Sequence, residues 1–427
     1  MQTQVLFYRA IKIALFAVCL PFSPFKALSQ SPISDSCQNT GQLDMRDIFQ
    51  RLKKKPYFEK KDEEKNFQFA LLPAGGYSSN TGLAVALGAN AVFTLKGATK
   101  ESSALSSFTY TQYNQSILPF LVSVWTKKDR FNIVLDYRYI NYPSSIYGLS
   151  GKSNLDSGYT VNFSWLKLHQ SVLAKLGRNM YGGIGLYYDY FWNIKEEKIP
   201  QAAAGNNTRI GLGSAFEYYT NQKIPADEET AFGPAFKFLY DSRDNPVNPQ
   251  KGFYGSAMFH PSFKNWGSDD NWSSLVLDAR KYIPLSENKY RVLAFWGYYW
   301  ANFGNAPFLL FPSTGWDELW NTGRGYSQGR YRGETMLYFE SEYRFQITRN
   351  GLLGGVLFSN IQHFPNEIYS SYSQSNSLQT ESVTAVGCGA GIRVKFNKCS
   401  RTNLAVDMGF GQNLPKPWFA INLGEVF

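Results

Sequence analysis

The stretch that decides the fold reads Leu337-Tyr338-Phe339-Glu340-Ser341-Glu342-Tyr343-Arg344-Phe345. Its odd-numbered positions are mostly apolar or aromatic, whereas its even-numbered positions include Glu340, Glu342 and Arg344. Successive side chains of a β-strand point to opposite faces of the sheet. The stretch therefore predicts a strand with one apolar face and one face that carries charges of both signs. A dry protein core would not accept that second face.

The same alternation returns along the chain, for example over residues 131–139 and 404–410. Aromatic residues make up 17% of the chain, yet the mean hydropathy is only −0.31. Strands that alternate lipid-facing apolar side chains with lumen-facing polar ones explain both values. In lipid, only helices and closed barrels satisfy the backbone hydrogen bonds. No apolar run of about 18 residues follows residue 29, so the pattern predicts an all-β, transmembrane antiparallel β-barrel.

The period-2 segments predict about sixteen strands, an even number, as expected when both chain ends lie in the periplasm. These strands lie near 67–72, 81–95, 103–112, 117–125, 131–141, 158–175, 180–193, 230–241, 251–261, 272–283, 290–302, 335–347, 351–360, 382–396, 402–411 and 417–427. The long connections 142–157, 194–229, 303–334 and 361–381 are assigned to the outside. Residues 210–219 resemble an extra strand, which would break the parity. We therefore assign 194–229 to a structured external loop, with a helical turn as an alternative.

The first 29 residues are typical of a signal peptide. Arg9 and Lys12 precede a short apolar run from Ile13 to Leu20, and small residues at Ala27 and Ser29 suit cleavage. The apolar run is too short to cross about 30 Å of lipid as a helix. Residues 30–65 are predicted to be a short periplasmic N-terminal segment, too small to fold unaided. Residues 66–427 are predicted to form the barrel in a bacterial outer membrane, with the C-terminus in the periplasm.

The charge and the cysteines indicate the surroundings of this barrel. The chain remains basic after residues 1–29 are removed, and the expected counter-charges are outer-membrane lipid and lipopolysaccharide. No nucleic acid is expected, because a secreted barrel meets none. Cys37 and Cys399 are both predicted to lie in the oxidising periplasm, so they are candidates for a disulfide. Cys388 shares its parity with apolar neighbours and is predicted to face lipid.

The last strand carries apolar residues at alternating positions and ends on an aromatic residue. These residues are Phe419, Ile421, Leu423 and Phe427. The pattern resembles the signal that the barrel-assembly machinery reads on its clients, so that machinery is an expected partner during biogenesis. Glu425 departs from the pattern, since an apolar or aromatic residue is usual there. The alternative is an ordinary last strand.

Two further segments are more specific than periodicity. The first, residues 241–252, combines turn-forming residues that predict a tight turn at the barrel rim. Its key residues are Asp241, Arg243, Asp244, Asn245, Pro249 and Gly252. The second segment is Gly323-Arg324-Gly325-Tyr326, in the long connection before the strand that contains Glu342.

In this order, the two segments resemble the bacterial surface antigen family, which includes the barrels of BamA, TamA and the two-partner secretion transporters. The resemblance covers roughly residues 66–427. It implies a periplasmic turn at 241–252 and a long external loop, 303–334, folded into the barrel lumen. It also implies that Arg324 inserts into the lumen and pairs with Glu342; the alternative is a solvated arginine. A second acid is expected on the next strand, but Ser359 stands there, with Asn360 beside it.

The resemblance also bears on function. Gly323 replaces the usual β-branched residue, so we expect the loop to be held less tightly than in typical members. Residues 30–65 cannot supply a POTRA domain, so we expect a stand-alone barrel. The implied function is outer-membrane protein assembly or translocation, with client outer-membrane proteins as candidate partners. The alternative is a passive small-solute channel or a structural surface barrel.

Enzymatic activity is not expected. Outer-membrane barrel proteases and phospholipases use histidine with aspartate or serine, but this chain has only His169, His260 and His363. None of these histidines lies in a metal-ligand spacing or beside a nucleophile motif. The sequence therefore predicts no catalytic residue, no metal site and no cofactor.

Overall fold

A computed structural model describes residues 42–45, 47–48, 67–149, 158–196, 227–286, 290–366, 381–398, 401–412, 414 and 416–427. Several predictions therefore lie outside the described residues. They concern the signal peptide 1–29, most of segment 30–65, Cys37, Cys399 and the possible strand 210–219.

The described residues form seventeen β-strands in one antiparallel sheet. They are β1 (Phe67–Ser78), β2 (Gly82–Phe93), β3 (Ser102–Thr111), β4 (Ser116–Trp125), β5 (Phe131–Asn141), β6 (Ser144–Ile146), β7 (Tyr159–Gly177), β8 (Met180–Glu196), β9 (Glu228–Asp241), β10 (Gly252–Ser262), β11 (Trp272–Pro284), β12 (Arg291–Gly304), β13 (Thr335–Gln346), β14 (Leu353–Phe364), β15 (Val383–Asn397), β16 (Thr402–Gly411) and β17 (Trp418–Leu423). Because β5 and the short β6 both pair with β7, they occupy one position in the barrel. The barrel therefore has sixteen strand positions, as the sequence predicts.

Neighbouring strands pair around the whole sheet, and β17 returns to β1 through the register pair Ser78 and Ala420. The sheet is thus a closed barrel. We call the end with the turns at 126–130, 178–179, 242–251 and 347–352 the short-turn rim. The opposite end, with the connections 142–158, 197–227, 305–334 and 365–382, is the long-loop rim.

Strand β13 shows why the alternation produces a membrane barrel. Leu337 and Phe339 are exposed on the outer surface, whereas Glu340, Glu342 and Arg344 are buried inside. The outer face supplies apolar area to lipid, and the inner face holds charges that pair with one another. The predicted strand faces are confirmed here. Cys388, on β15, is also exposed on the outer face, as predicted.

The last strand differs from the prediction. It ends at Leu423, not at Phe427, because Gly424 adopts a φ of +103°, which favours glycine. Residues 424–427, which we call the C-terminal tail, leave the sheet and are buried. The expected strand 417–427 was therefore wrong in its second half.

A short N-terminal piece contacts the short-turn rim. The backbone N–H of Leu43 donates to the carbonyl of Asn350 at 2.9 Å. The Nζ of Lys398 lies 3.0 Å from Oδ2 of Asp47, and its backbone N–H donates to Asp44. These contacts attach residues 43–47 to two rim turns.

No helix among the described residues is both long enough and apolar enough to cross a membrane.

Candidate functional site: the loop, the tail and the seam

The connection 305–334 between β12 and β13 is ordered by its own turns. Asp317 is buried, and its Oδ1 accepts the backbone N–H groups of Asn321 at 2.9 Å and Thr322 at 2.7 Å. An isolated bridge joins Ser313 to Arg332. A carboxylate that accepts successive backbone N–H groups fixes a turn in one conformation. This turn precedes Arg324 by a few residues and sets its position.

Arg324 is 2% exposed and lies among acids of two different strands. Its Nη2 donates to Glu340 and to Glu342, both on β13. Its Nη1 lies 3.3 Å from Oδ2 of Asp407 on β16, and its guanidinium lies 3.7 Å from the ring centre of Phe358 on β14. The planar fork of an arginine can bind several carboxylates and stack on a ring at once. One side chain thus joins the loop to three strands.

The second acid is missing from β14, as the sequence predicts, but the residue that contacts the loop there is Asn360 and not Ser359. Ser359 is exposed on the outer face, whereas its neighbour Asn360 points inward and donates from Nδ2 to the carbonyl of Arg324 at 2.8 Å. Asp407 and Glu340 supply the negative charge that strand β14 lacks. Arg324 thus has two acids besides Glu342, the one that the family resemblance implies. That the loop is held less tightly than in typical members stays a prediction.

The glycines of the motif allow the close approach of the loop to the barrel wall. Gly325 has a φ of +105°, and a Cβ there would lie 2.9 Å from the backbone of Phe410 on β16. Gly323 has a φ of +75°, which explains why a β-branched residue is absent. The hydroxyl of Tyr326 then donates to the carbonyl of Val386 at 2.6 Å.

The charges continue from the loop to the C-terminal tail. Arg393 on β15 contacts Asp407 through Nη1 at 2.6 Å and Glu425 through Nε at 2.7 Å. On the other side, Arg344 contacts Glu342 at 2.6 Å. Each of these buried side chains therefore has a partner of opposite charge, which burial requires.

Glu425 therefore departs from the assembly-signal pattern for a structural reason: it faces the inside of the barrel. Phe427 is fully buried, with its ring centre 5.3 Å from that of Trp296. Its carbonyl accepts a hydrogen bond from Nη2 of Arg344 at 2.9 Å. Of the predicted signal residues, Phe419 lies on the outer face and Ile421 is half-buried on the strand. Only the backbone of Leu423 is described.

The seam between the first and last strands is short. Among the described residues, β1 and β17 share the single register pair Ser78 and Ala420, supported by a bond from the N–H of Ser79 to the carbonyl of Phe419 at 3.3 Å. By contrast, β1 pairs with β2 over its full length from Phe67 to Ser78. Most of the free edge of β1 therefore has no strand partner in the part of the chain that is described.

The turn 242–251 is built as the motif predicts. Arg243 pairs with Asp241 at 2.7 Å, and Asn245 accepts the backbone N–H of Asn248 at 2.7 Å. Gly252 has a φ of +112°, and a Cβ there would lie 2.4 Å from the carbonyl of Ser242. Pro249 is buried beside it. The residues of the first motif thus meet in one turn at the short-turn rim.

Asp244 joins this turn to its neighbour. Its Oδ2 accepts from Nη1 of Arg401 at 2.5 Å, and its Oδ1 accepts the backbone N–H groups of Gln250 and Lys251. Partial burial raises the pKa of the Asp244 carboxyl, but the bonds from Arg401, Gln250 and Lys251 outweigh it and hold the pKa below its usual value.

Comparison with known proteins agrees with this architecture. The model of the Omp85 superfamily domain matches residues 102–424. No curated protein matches the chain. The BamA structure from Haemophilus ducreyi lacking POTRA domains 1–3 is similar, with a TM-score of 0.56 and 12% identity over 86% of this chain and 73% of that one.

CdiB structures are also similar. CdiB from Acinetobacter baumannii has a TM-score of 0.48 and 13% identity, over 93% of this chain and 73% of that one. CdiB from Escherichia coli has a TM-score of 0.49 and 10% identity, over 84% and 63%. The BamA likeness supports the fold, and the matched domain covers most of the chain. The chain therefore belongs to the Omp85 superfamily, whose barrels lie in the bacterial outer membrane.

Proposed function

We propose that this barrel assists the assembly or translocation of other outer-membrane proteins, and that the seam between β1 and β17 is where it acts. The observation that carries the proposal is the single register pair, Ser78 with Ala420, that joins these two strands among the described residues. Unpaired backbone N–H and C=O groups are costly in lipid. The free edge of β1 therefore favours the addition of another strand.

The C-terminal tail accounts for the short seam. Because residues 424–427 turn inward at Gly424, β17 is only 6 residues long, whereas β1 has 12. An edge strand of this kind can bind an incoming β-strand through main-chain hydrogen bonds, without reading its sequence. A client strand in an unfolded outer-membrane protein fits this requirement.

The buried charge network supports the same proposal. Arg324 connects the 305–334 loop to β13, β14 and β16, so the wall beside the seam stays rigid when β1 separates from β17. The contacts of the loop and the tail also occupy the inside of the barrel next to the seam. This occupancy argues against a wide passive channel.

A cross-link across the seam tests the proposal. We expect the barrel in liposomes to accelerate the folding of a urea-unfolded client barrel relative to empty liposomes. In a background with Cys37, Cys388 and Cys399 replaced by serine, Ser78→Cys with Ala420→Cys places two thiols at paired positions, within disulfide reach. Oxidation should abolish the acceleration, and a reductant should restore it.

The matched control is Ser103→Cys with Ser123→Cys, a register pair between β3 and β4. Its oxidation should leave the acceleration unchanged. If the seam cross-link had no effect, the seam would not be the site of action. If even the wild-type barrel gave no acceleration, and bilayer recordings showed a steady large pore, the passive channel would be the better interpretation.

This function also implies an orientation of the barrel in the membrane and a set of surroundings. We propose that the short-turn rim and both chain ends face the periplasm, where unfolded clients arrive. Lipid and lipopolysaccharide contact the outer face, and the chain carries out no chemical reaction. Limited proteolysis of intact cells tests the orientation, because the long-loop rim should be cleaved and the short-turn rim protected.

A further inference from the structure

A second site lies inside the barrel, away from Arg324. It is a cavity of about 240 Å³ that is lined by strand β5, by strands β7 to β12 and by the 305–334 loop. Small-molecule pockets typically have volumes of about 300–1,000 Å³. At about 240 Å³ the cavity lies just below that range, so it is suited to a single small unit.

Aromatic rings form much of its wall. The lining includes Trp165, Tyr187, Tyr254, Trp272, Trp300 and Trp316. Tyr187 stacks on His169, with ring centres 3.7 Å apart and planes inclined by 8°. Ring faces of this kind bind flat apolar surfaces on a ligand, including C–H groups. The wall therefore favours a ligand with an apolar face.

Three buried polar atoms on residues that line the cavity lack a protein partner among the described residues, and one of them is Nε1 of Trp316. The other two, Nε2 of His260 and Nε1 of Trp272, belong to neighbouring residues that are 3% and 7% exposed. Nδ1 of His260 lies 2.8 Å from the carbonyl of Pro234 on β9, and a carbonyl can only accept. Nδ1 therefore carries the proton, so in the neutral ring Nε2 is an acceptor that faces away from β9.

The unpartnered atoms of His260 and Trp272 require opposite hydrogen-bonding groups. Nε2 of His260 needs a donor, whereas the indole N–H of Trp272 needs an acceptor. The two rings are neighbours, with centres 5.6 Å apart. A hydroxyl group both donates and accepts, so one small group or two adjacent ones can satisfy both atoms.

The formal charges around the cavity largely compensate one another. Lys167 pairs with Asp136 at 2.9 Å, and Asp278 pairs with Arg280 at 2.5 Å. Asp189 has a hydrogen-bond partner on each of its oxygens. Charges that are already paired or hydrogen-bonded offer little to an ionic ligand. A neutral ligand is therefore favoured over a carboxylate or an amine.

We propose that this cavity binds a neutral carbohydrate unit, with hydroxyl groups on His260 and Trp272 and a C–H face against the aromatic wall. This site is separate from the seam, and the proposal does not depend on the assembly function. It differs from a merely hydrated lumen because water would satisfy the polar atoms but would place no apolar face against the aromatic wall.

Saturation-transfer NMR on the full folded barrel tests the proposal. The barrel should be held in lauryldimethylamine oxide, since sugar-based detergents would compete. The probes are methyl α-glucopyranoside and N-acetylglucosamine. Ring C–H protons of at least one probe should receive saturation from the protein. If neither probe received saturation, the cavity would not be a carbohydrate site.

Two variants locate the binding. Trp272→Phe keeps an aromatic ring and removes the donor, and His260→Phe removes the acceptor. Each should weaken binding about fivefold, as expected for the loss of one hydrogen bond. Trp266→Phe is the control, because Trp266 is 52% exposed at the long-loop rim and does not line the cavity.

The variants must first show the heat-dependent gel mobility of a folded barrel. If one of them does not fold, the other decides the test. Equal saturation in the wild type, the folded cavity variants and Trp266→Phe would mean that the sugars bind elsewhere, and the proposal would be wrong.

Discussion

Arg393 holds Glu425 inside the barrel, with its Nε 2.7 Å from Oε2 of that carboxylate. The other oxygen of Glu425 accepts from Nδ2 of Asn403 at 2.7 Å. These contacts, together with the positive φ of Gly424, turn the chain out of β17. A residue that departs from the assembly-signal pattern is therefore the anchor of the C-terminal tail.

Replacing this anchor should destabilise the barrel. Glu425→Leu leaves Arg393 buried with Asp407 as its remaining acid and leaves Asn403 without its carboxylate. We expect the free energy of unfolding to fall by about 3 kcal/mol, as when one partner of a buried pair is removed. Urea titration followed by tryptophan fluorescence measures this change. Glu228→Gln, at an exposed position, should change the value by less than about 0.5 kcal/mol. Equal effects of the two changes would contradict the anchor role.

Arg324 should be more sensitive than Glu425, because it contacts Glu340, Glu342 and Asp407. Arg324→Ala leaves these buried acids without their shared cation, and we expect a loss of about 3–5 kcal/mol and a lower folded yield. Arg324→Lys keeps the charge but lacks the planar fork, so its loss should be intermediate.

Removing an acid together with the arginine provides the control. Arg324→Ala combined with Glu340→Gln should be more stable than Arg324→Ala alone, because one uncompensated charge is gone. Folded yield and urea midpoint can be compared in the same experiment. If the double variant were the less stable one, the carboxylates would not be the reason for the loss.

Most of the fold could be predicted because it depends on local alternation. The bounds of β5, 131–141, and β16, 402–411, agree with the structure. The last strand was missed in part because a period-2 pattern cannot reveal that Gly424 takes a positive φ. The pattern also cannot reveal that Glu425 forms an ion pair inside the barrel with Arg393, which lies on β15.

Of the candidate site, the sequence predicted only Arg324 on the loop and its partner Glu342. Parity placed Asp407 and Glu340 on inward faces, but it could not show that they meet Arg324. That contact depends on how far the loop extends into the lumen and on where β13 and β16 lie relative to each other in the barrel. The cavity at His260 was missed for the same reason, since its walls come from seven strands.

The rim turn should give a pH dependence at acidic pH. Hydrogen bonds from Arg401 and two backbone N–H groups hold the pKa of Asp244 below its usual value. Its contribution to stability is therefore present above a pH of about 4, the usual pKa of aspartate, and is lost as the pH falls through the folded-state pKa. We expect Asp244→Asn to be less stable than the wild type at neutral pH. The difference should shrink below a pH of about 4. A constant difference across this range would contradict the role of the ionised carboxylate.

The N-terminal segment gives a test of the disulfide between Cys37 and Cys399. Asp44 and Asp47 contact Lys398, the residue before Cys399. The 6 residues from Cys37 to Leu43 can span about 20 Å at roughly 3.4 Å per residue, so the two thiols can meet. We propose that they are joined, and peptide mapping without reductant should find the linked pair, with Cys388 free as the internal control. Recovery of both residues as alkylated thiols would exclude the disulfide.

Alanine variants of Gly325 and Gly297 test whether the loop depends on its close approach to β16. Both variants add a methyl group, but only the one at Gly325 would meet the barrel wall. A Cβ on Gly325 would lie 2.9 Å from the backbone of Phe410, and its φ is +105°, whereas a Cβ on Gly297 would meet no atom within 4 Å. Gly325→Ala should therefore push the loop from β16 and weaken the contact of Arg324 with Asp407. We expect a loss of about 1–3 kcal/mol from the backbone conformation alone, together with faster proteolysis of residues 305–334. Gly297→Ala should be neutral in both measurements. If the two variants were equally stable and equally resistant, the loop would not depend on its approach to β16.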